Sequence, residues 1–132
     1  MESNQEDMFK AILTQDAVYP VIAGKRFGYG TAGFRTLGAH LDRVCFRTGL
    51  LAALRAKAKN GLAGVMVTAS HNDWKDNGLK IIEADGSMLV PAWERLAEVL
   101  INAENLEEAL KETAKEVGVT DIFEARGLVF VG

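Results

Sequence analysis

The stretch "TASHNDWKDNGLK", residues 68–80, follows the apolar run "GLAGVMV" and places Ser70, His71, Asn72 and Lys80 within thirteen positions. A serine hydroxyl serves as a nucleophile or as a carrier of a phosphoryl group. An imidazole titrates near neutral pH, which opens general acid or base work to His71. Sequence adjacency does not make Ser70 and His71 a pair. In extended backbone neighbouring side chains point apart, so the two would address different parts of one ligand. Lys80 offers a counter-charge for phosphate or, with a lowered pKa, a base. The small residues Thr68, Ala69 and Ser70 let the backbone turn sharply. By residue type alone the run is also an ordinary polar turn, in which Asn and Asp bond their own backbone. What favours chemistry is its place. The loop leaves the end of a strand, and ligands of open α/β sheets bind at the carboxyl ends of strands.

The elements that must hold this loop follow from periodicity. "SNQEDMFKAILTQDA" reads as a helix with Phe9, Ile12 and Leu13 on one face. The glycine- and aromatic-rich "YPVIAGKRFGYGTAGFRT" reads as a short strand and a loop. "LDRVCFRTGLLAALRAKAK" is a helix, with Leu41, Val44, Leu51, Leu54 and Ala58 at helical spacing and "NG" to stop it. Residues 62–68 are then expected to be a buried strand. Asp85-Gly86 between two apolar runs predicts an antiparallel hairpin over residues 79–90. Pro91 suits the first position of a helix. A second helix, with Leu106, Leu110, Ala114 and Val117 on one side, ends at Gly118, and "GLVFVG" reads as a last buried strand. The expected fold is α/β: a three-layer α/β/α domain with a mixed, mostly parallel sheet and one antiparallel hairpin.

Composition bounds the function. The chain has 132 residues, the size of one domain. Its net charge of −3 gives no basic field for nucleic acid. No apolar run is long enough for a membrane span, and the acidic start is unlike a signal peptide. Cys45 is the single cysteine, which excludes an internal disulfide and fits a reducing, cytoplasmic setting.

Three segments resemble the α-D-phosphohexomutase superfamily. "YGTAGFRT" (29–36) is similar to its Gly-Thr-x-Gly-x-Arg loop, "TASHNDWKDNGLK" to its phosphoserine loop, and "LVFVG" to the strand before its Gly-Arg-Asp-Thr-Arg segment. "FRTGLLAALR" and "GSMLVPAWE" point further to the phosphoacetylglucosamine mutase branch. The resemblance implies interconversion of N-acetylglucosamine 6-phosphate and 1-phosphate through a phosphoserine at Ser70, with a phosphorylated amino sugar as partner. It assigns His71, Lys80 and Arg35 to proton transfer and charge stabilisation. It groups Arg35, Thr68, Asn72 and Lys80 around phosphate. Mg²⁺ is implied as cofactor, bound by Ser70 through its phosphate.

There are departures from the pattern. The family's proline after Ser-His-Asn is Asp73 here, and none of the seven aspartates forms the family's Asp-x-Asp-x-Asp metal motif. Residues 1–132 are therefore expected to form a single domain, most of the family's first one, cut short at its last strand. Bare apolar surfaces on such a domain would favour self-association. Two other readings stand beside a mutase domain: a non-catalytic module binding phosphate or a partner, and an unrelated α/β phosphate-binding domain.

Overall fold

The computed structural model describes residues 2–19, 21–22, 24–30, 33–69, 76–120 and 122. The elements run α1 (Glu2–Asp16), β1 (Tyr29–Gly30), β2 (Gly33–Leu37), α2 (Leu41–Ala58), β3 (Ala63–Ala69), β4 (Asp76–Glu83), α3 (Pro91–Asn102) and α4 (Leu106–Glu116). The apolar stripes read in the sequence become the core. Val44, Leu51 and Leu54 of α2 and Leu106, Leu110 and Ala114 of α4 are all buried. Pro91 stands at the start of α3, where its missing N–H costs nothing. The Asn105 side chain caps α4 by accepting from Glu108 N at 3.0 Å.

The α/β class holds, but the sheet order corrects the expectation of mostly parallel pairing. The four strands lie in the order β1-β2-β4-β3, and every described pairing is antiparallel. Two physical reasons account for this. The connection from β3 to β4 is residues 70–75, too short for a parallel crossover. β2 and β3, joined through α2, do run in the same direction, as a strand–helix–strand unit should. β4 slots between them and is antiparallel to both. The expected hairpin at Asp85-Gly86 is present in reduced form: its second arm is a single bridge, Ile82 to Met88. Residues 128–131 lie outside the described residues.

The expectation of a buried third strand is also corrected. β3 is an edge of the described sheet, and Leu62 before it and Val65, Met66 and Val67 within it are 45–67% exposed.

Phe34, Leu79 and Ile81 point from β2 and β4 into the core formed with α2, α3 and α4. Strand alternation then sends Arg35, Gly78 and Lys80 to the opposite, outer face. Asn102 of α3 grips the chain ahead of β1. Its Oδ1 accepts from Phe27 N and its Nδ2 donates to Phe27 O, both at 2.8 Å. Tyr29 N donates to Glu98 Oε1 at 2.8 Å, and the Tyr29 hydroxyl accepts from Ile81 N at 2.8 Å. The hairpin that carries Arg35 is thus tied to both α3 and β4.

Arg55 of α2 lies over the Trp93 ring at 4.9 Å and donates to both carboxylate oxygens of Glu83 at the end of β4, Nε to Oε1 at 2.8 Å. The guanidinium holds the Glu83 carboxyl below the usual carboxylate range. A depressed folded-state pKa stabilises the fold above the unfolded value of about 4.3, and that contribution is lost as pH falls through the folded value. Melts recorded from about pH 6 to about pH 3 should show Glu83→Gln with a shallower acid limb than the parent. Parallel curves would remove Glu83 from the account.

Candidate functional site

The site is assembled by strand register. Arg35 of β2 stands opposite Gly78 of β4, and Gly78 stands opposite Thr68 of β3. Residues directly opposite one another share a face, so Arg35 and Thr68 flank Gly78 in one row, about 10 Å apart from backbone to backbone. Lys80 is two residues further along β4 and so on the same face, opposite Met66. Three of the six residues singled out in the sequence therefore meet on the outer face of the sheet. The other three, Ser70, His71 and Asn72, lie outside the described residues. The row ends where the chain leaves β3 at Ala69, one residue before Ser70.

Arg35 is exposed and Lys80 half-buried. Among the described residues neither cation has a carboxylate partner, in contrast to Arg43, Arg47 and Arg55. Thr68 Oγ1 is buried and, among the described residues, has no hydrogen-bond partner. Two uncommitted cations and an unsatisfied hydroxyl on one face suit an anion of several acceptor oxygens, such as a phosphoryl group.

Two glycines contribute that sequence reasoning left unassigned. At Gly33 φ is +79° and a Cβ would come within 2.2 Å of the Leu79 carbonyl oxygen and 2.6 Å of Lys80 Cβ. At Gly78 a Cβ would meet Thr68 Oγ1 at 2.5 Å and the Phe34 carbonyl oxygen at 2.6 Å. Glycine inside a strand was the available signal, since it marks a bulge or a close approach.

Ser70, through whose phosphate the resemblance places Mg²⁺, lies outside the described residues. Among the described residues no group of three His, Cys, Asp or Glu stands together to hold a metal ion.

The α/β fold that carries this face agrees with the comparisons. The family model for phosphoglucomutase/phosphomannomutase, alpha/beta/alpha domain I, matches residues 31–108. The chain belongs to that family. Within it, the likeness is to the phosphoacetylglucosamine mutases. The Saccharomyces cerevisiae phosphoacetylglucosamine mutase is 55% identical over 95 residues, covering 68% of this chain and 17% of the yeast protein. An Aspergillus fumigatus N-acetylphosphoglucosamine mutase solved with glucose 1,6-bisphosphate superposes with a TM-score of 0.80 at 45% identity, covering 84% of this chain and 21% of that one. The Aspergillus fumigatus enzyme solved with GlcNAc-6P and magnesium gives a TM-score of 0.73 at 47% identity, over 84% and 20%. The chain thus spans about a fifth of the length of the relatives it matches.

Proposed function

We propose that residues 1–132 are one domain, the phosphoserine domain of a cytoplasmic phosphoacetylglucosamine mutase. In this reading the chain works on N-acetylglucosamine phosphates, with Ser70 as phosphoryl carrier. The Ser70 oxygen gives its phosphoryl group to the sugar phosphate, leaving a sugar bisphosphate. The bisphosphate then returns its other phosphoryl group to the serine. Arg35 and Lys80 offset the charge on the transferring oxygens, and Thr68 Oγ1 donates a hydrogen bond to one of them. His71 moves the proton of the sugar hydroxyl. The observation that carries the reading is the shared face of Arg35, Thr68 and Lys80 at the strand end that leads into Ser70.

The test is acceptance of a phosphoryl group. Incubated for hours with glucose 1,6-bisphosphate, the chain should become singly phosphorylated at Ser70, as read by mass spectrometry. Ser70→Ala should abolish the modification, and Arg35→Ala or Lys80→Ala should slow it about tenfold or more. An unmodified parent chain would favour the alternative, a module that binds phosphate without chemistry.

A further inference from the structure

Gly78 sits in the middle of β4, paired on both sides, where glycine is a poor strand former. Its backbone does not call for glycine: positive φ occurs at Gly24, Gly33, Gly86 and Gly118, and not at Gly78. Space calls for it instead. The position a Cβ would take is already approached by Thr68 Oγ1 at 2.5 Å from the β3 side, and by the Phe34 carbonyl oxygen at 2.6 Å and Arg35 Cγ at 3.4 Å from the β2 side. The β2 and β3 side chains therefore both lean over β4 and share one slot. Gly64, on the same outer face, is a natural contrast, since a Cβ there would meet only Ile82 Cβ at an ordinary 3.8 Å.

We propose that Gly78 is a positioning residue of the phosphate site: its empty slot brings the Thr68 hydroxyl and the Arg35 side chain together over β4. This rests on the phosphate-site reading given above. A side chain at 78 would displace Thr68 Oγ1, whose residue lies two before Ser70, and would push the Arg35 stem outward. The site would keep all its charges and lose their convergence. Phosphate binding by several donors depends steeply on that convergence.

The experiment is a titration of the isotopically labelled chain with inorganic phosphate, followed by NMR at Arg35, Thr68 and Lys80. Contact between the Thr68 and Arg35 side chains, both of which approach the Gly78 slot, is read in parallel by nuclear Overhauser effect. Gly78→Ala is expected to lose that contact and to raise the phosphate Kd about tenfold, equivalent to about 1.4 kcal/mol. Gly64→Ala should leave both unchanged. A folded Gly78→Ala chain that keeps the contact and binds phosphate within about twofold of the parent overturns the proposal. If Gly78→Ala does not fold, Thr68→Ala decides, because it empties the slot without adding atoms. It should shift the Arg35 resonances and weaken phosphate several-fold, and unchanged affinity overturns the proposal. If the parent chain shows no response to phosphate, the phosphate-site reading falls. The positioning role for phosphate then falls with it, and loss of the contact in Gly78→Ala would show only that the slot sets the packing of Thr68 against Arg35.

Discussion

Replacing Arg47 by alanine is expected to destabilise the chain by about 3–5 kcal/mol, a large part of the 5–15 kcal/mol that holds an ordinary domain together. Arg47 lies on the core face of α2 and is 1% exposed. Its Nε and Nη2 donate to the two oxygens of Asp16 at 3.0 and 2.9 Å. Its Nη1 donates to the carbonyls of Leu100, Ile101 and Ala103 at 3.0, 3.2 and 2.7 Å. One guanidinium thus joins the end of α1 to α2 and closes the C-terminal end of α3, which has no basic residue in its own last turn.

Truncation at Arg47 removes three things together. Asp16, 6% exposed, keeps, among the described residues, Arg43 at 3.4 Å as its ion-pair partner. Three helix-end carbonyls lose their donor, and a cavity opens between three helices. The fork geometry also forbids an easy substitute, so Arg47→Lys should recover less than half of the loss. Urea unfolding provides the measurement. A midpoint change worth less than about 1 kcal/mol for Arg47→Ala would show that the cluster is not a keystone. Arg47→Met paired with Asp16→Leu offers the control. Removing both charges together should cost less than removing Arg47 alone, because no buried carboxylate is left unpaired, while the three carbonyls still lose their donor.

Arg47 also shows where the sequence stops being legible. It falls three residues after Val44 and four before Leu51, inside the apolar stripe of α2. Periodicity finds the stripe, and a charge within it is the only warning that the helix buries an ion pair. Its partners, Asp16 and the carbonyls of α3, are distant in sequence and carry no local signature. The helices, the Pro91 start and the Asp85-Gly86 turn were readable because each depends on neighbours within a few residues. The antiparallel order was not, because the insertion of β4 between β2 and β3 is a matter of tertiary pairing. Arg35, Thr68 and Lys80 could be named from a family likeness. That they share a face requires the register through Gly78, and no spacing within 68–80 reveals the strand that carries Arg35.

The 132-residue chain alone is expected to interconvert N-acetylglucosamine 6-phosphate and 1-phosphate at least about 10³-fold more slowly than a full-length relative, a deficit of about 4 kcal/mol in the barrier. Phosphoryl transfer takes most of its acceleration from positioning and from charge held around the moving group. Among the described residues the positive charge at the site is Arg35 and Lys80, and Arg35 is exposed on the outer sheet face. Water there weakens each electrostatic contact and competes as phosphoryl acceptor. None of the seven aspartates belongs to an Asp-x-Asp pair, and the described residues hold no cluster that could supply a metal. The turnover cycle also asks the sugar bisphosphate to reorient without escaping, which an open face does not enforce. Slow single phosphorylation of Ser70 and negligible turnover are therefore expected together. A coupled assay for the 1-phosphate, run with Mg²⁺ and glucose 1,6-bisphosphate, measures the second. Turnover within about tenfold of a full-length relative, lost on Ser70→Ala, would mean that this chain holds nearly all the positioning the reaction needs.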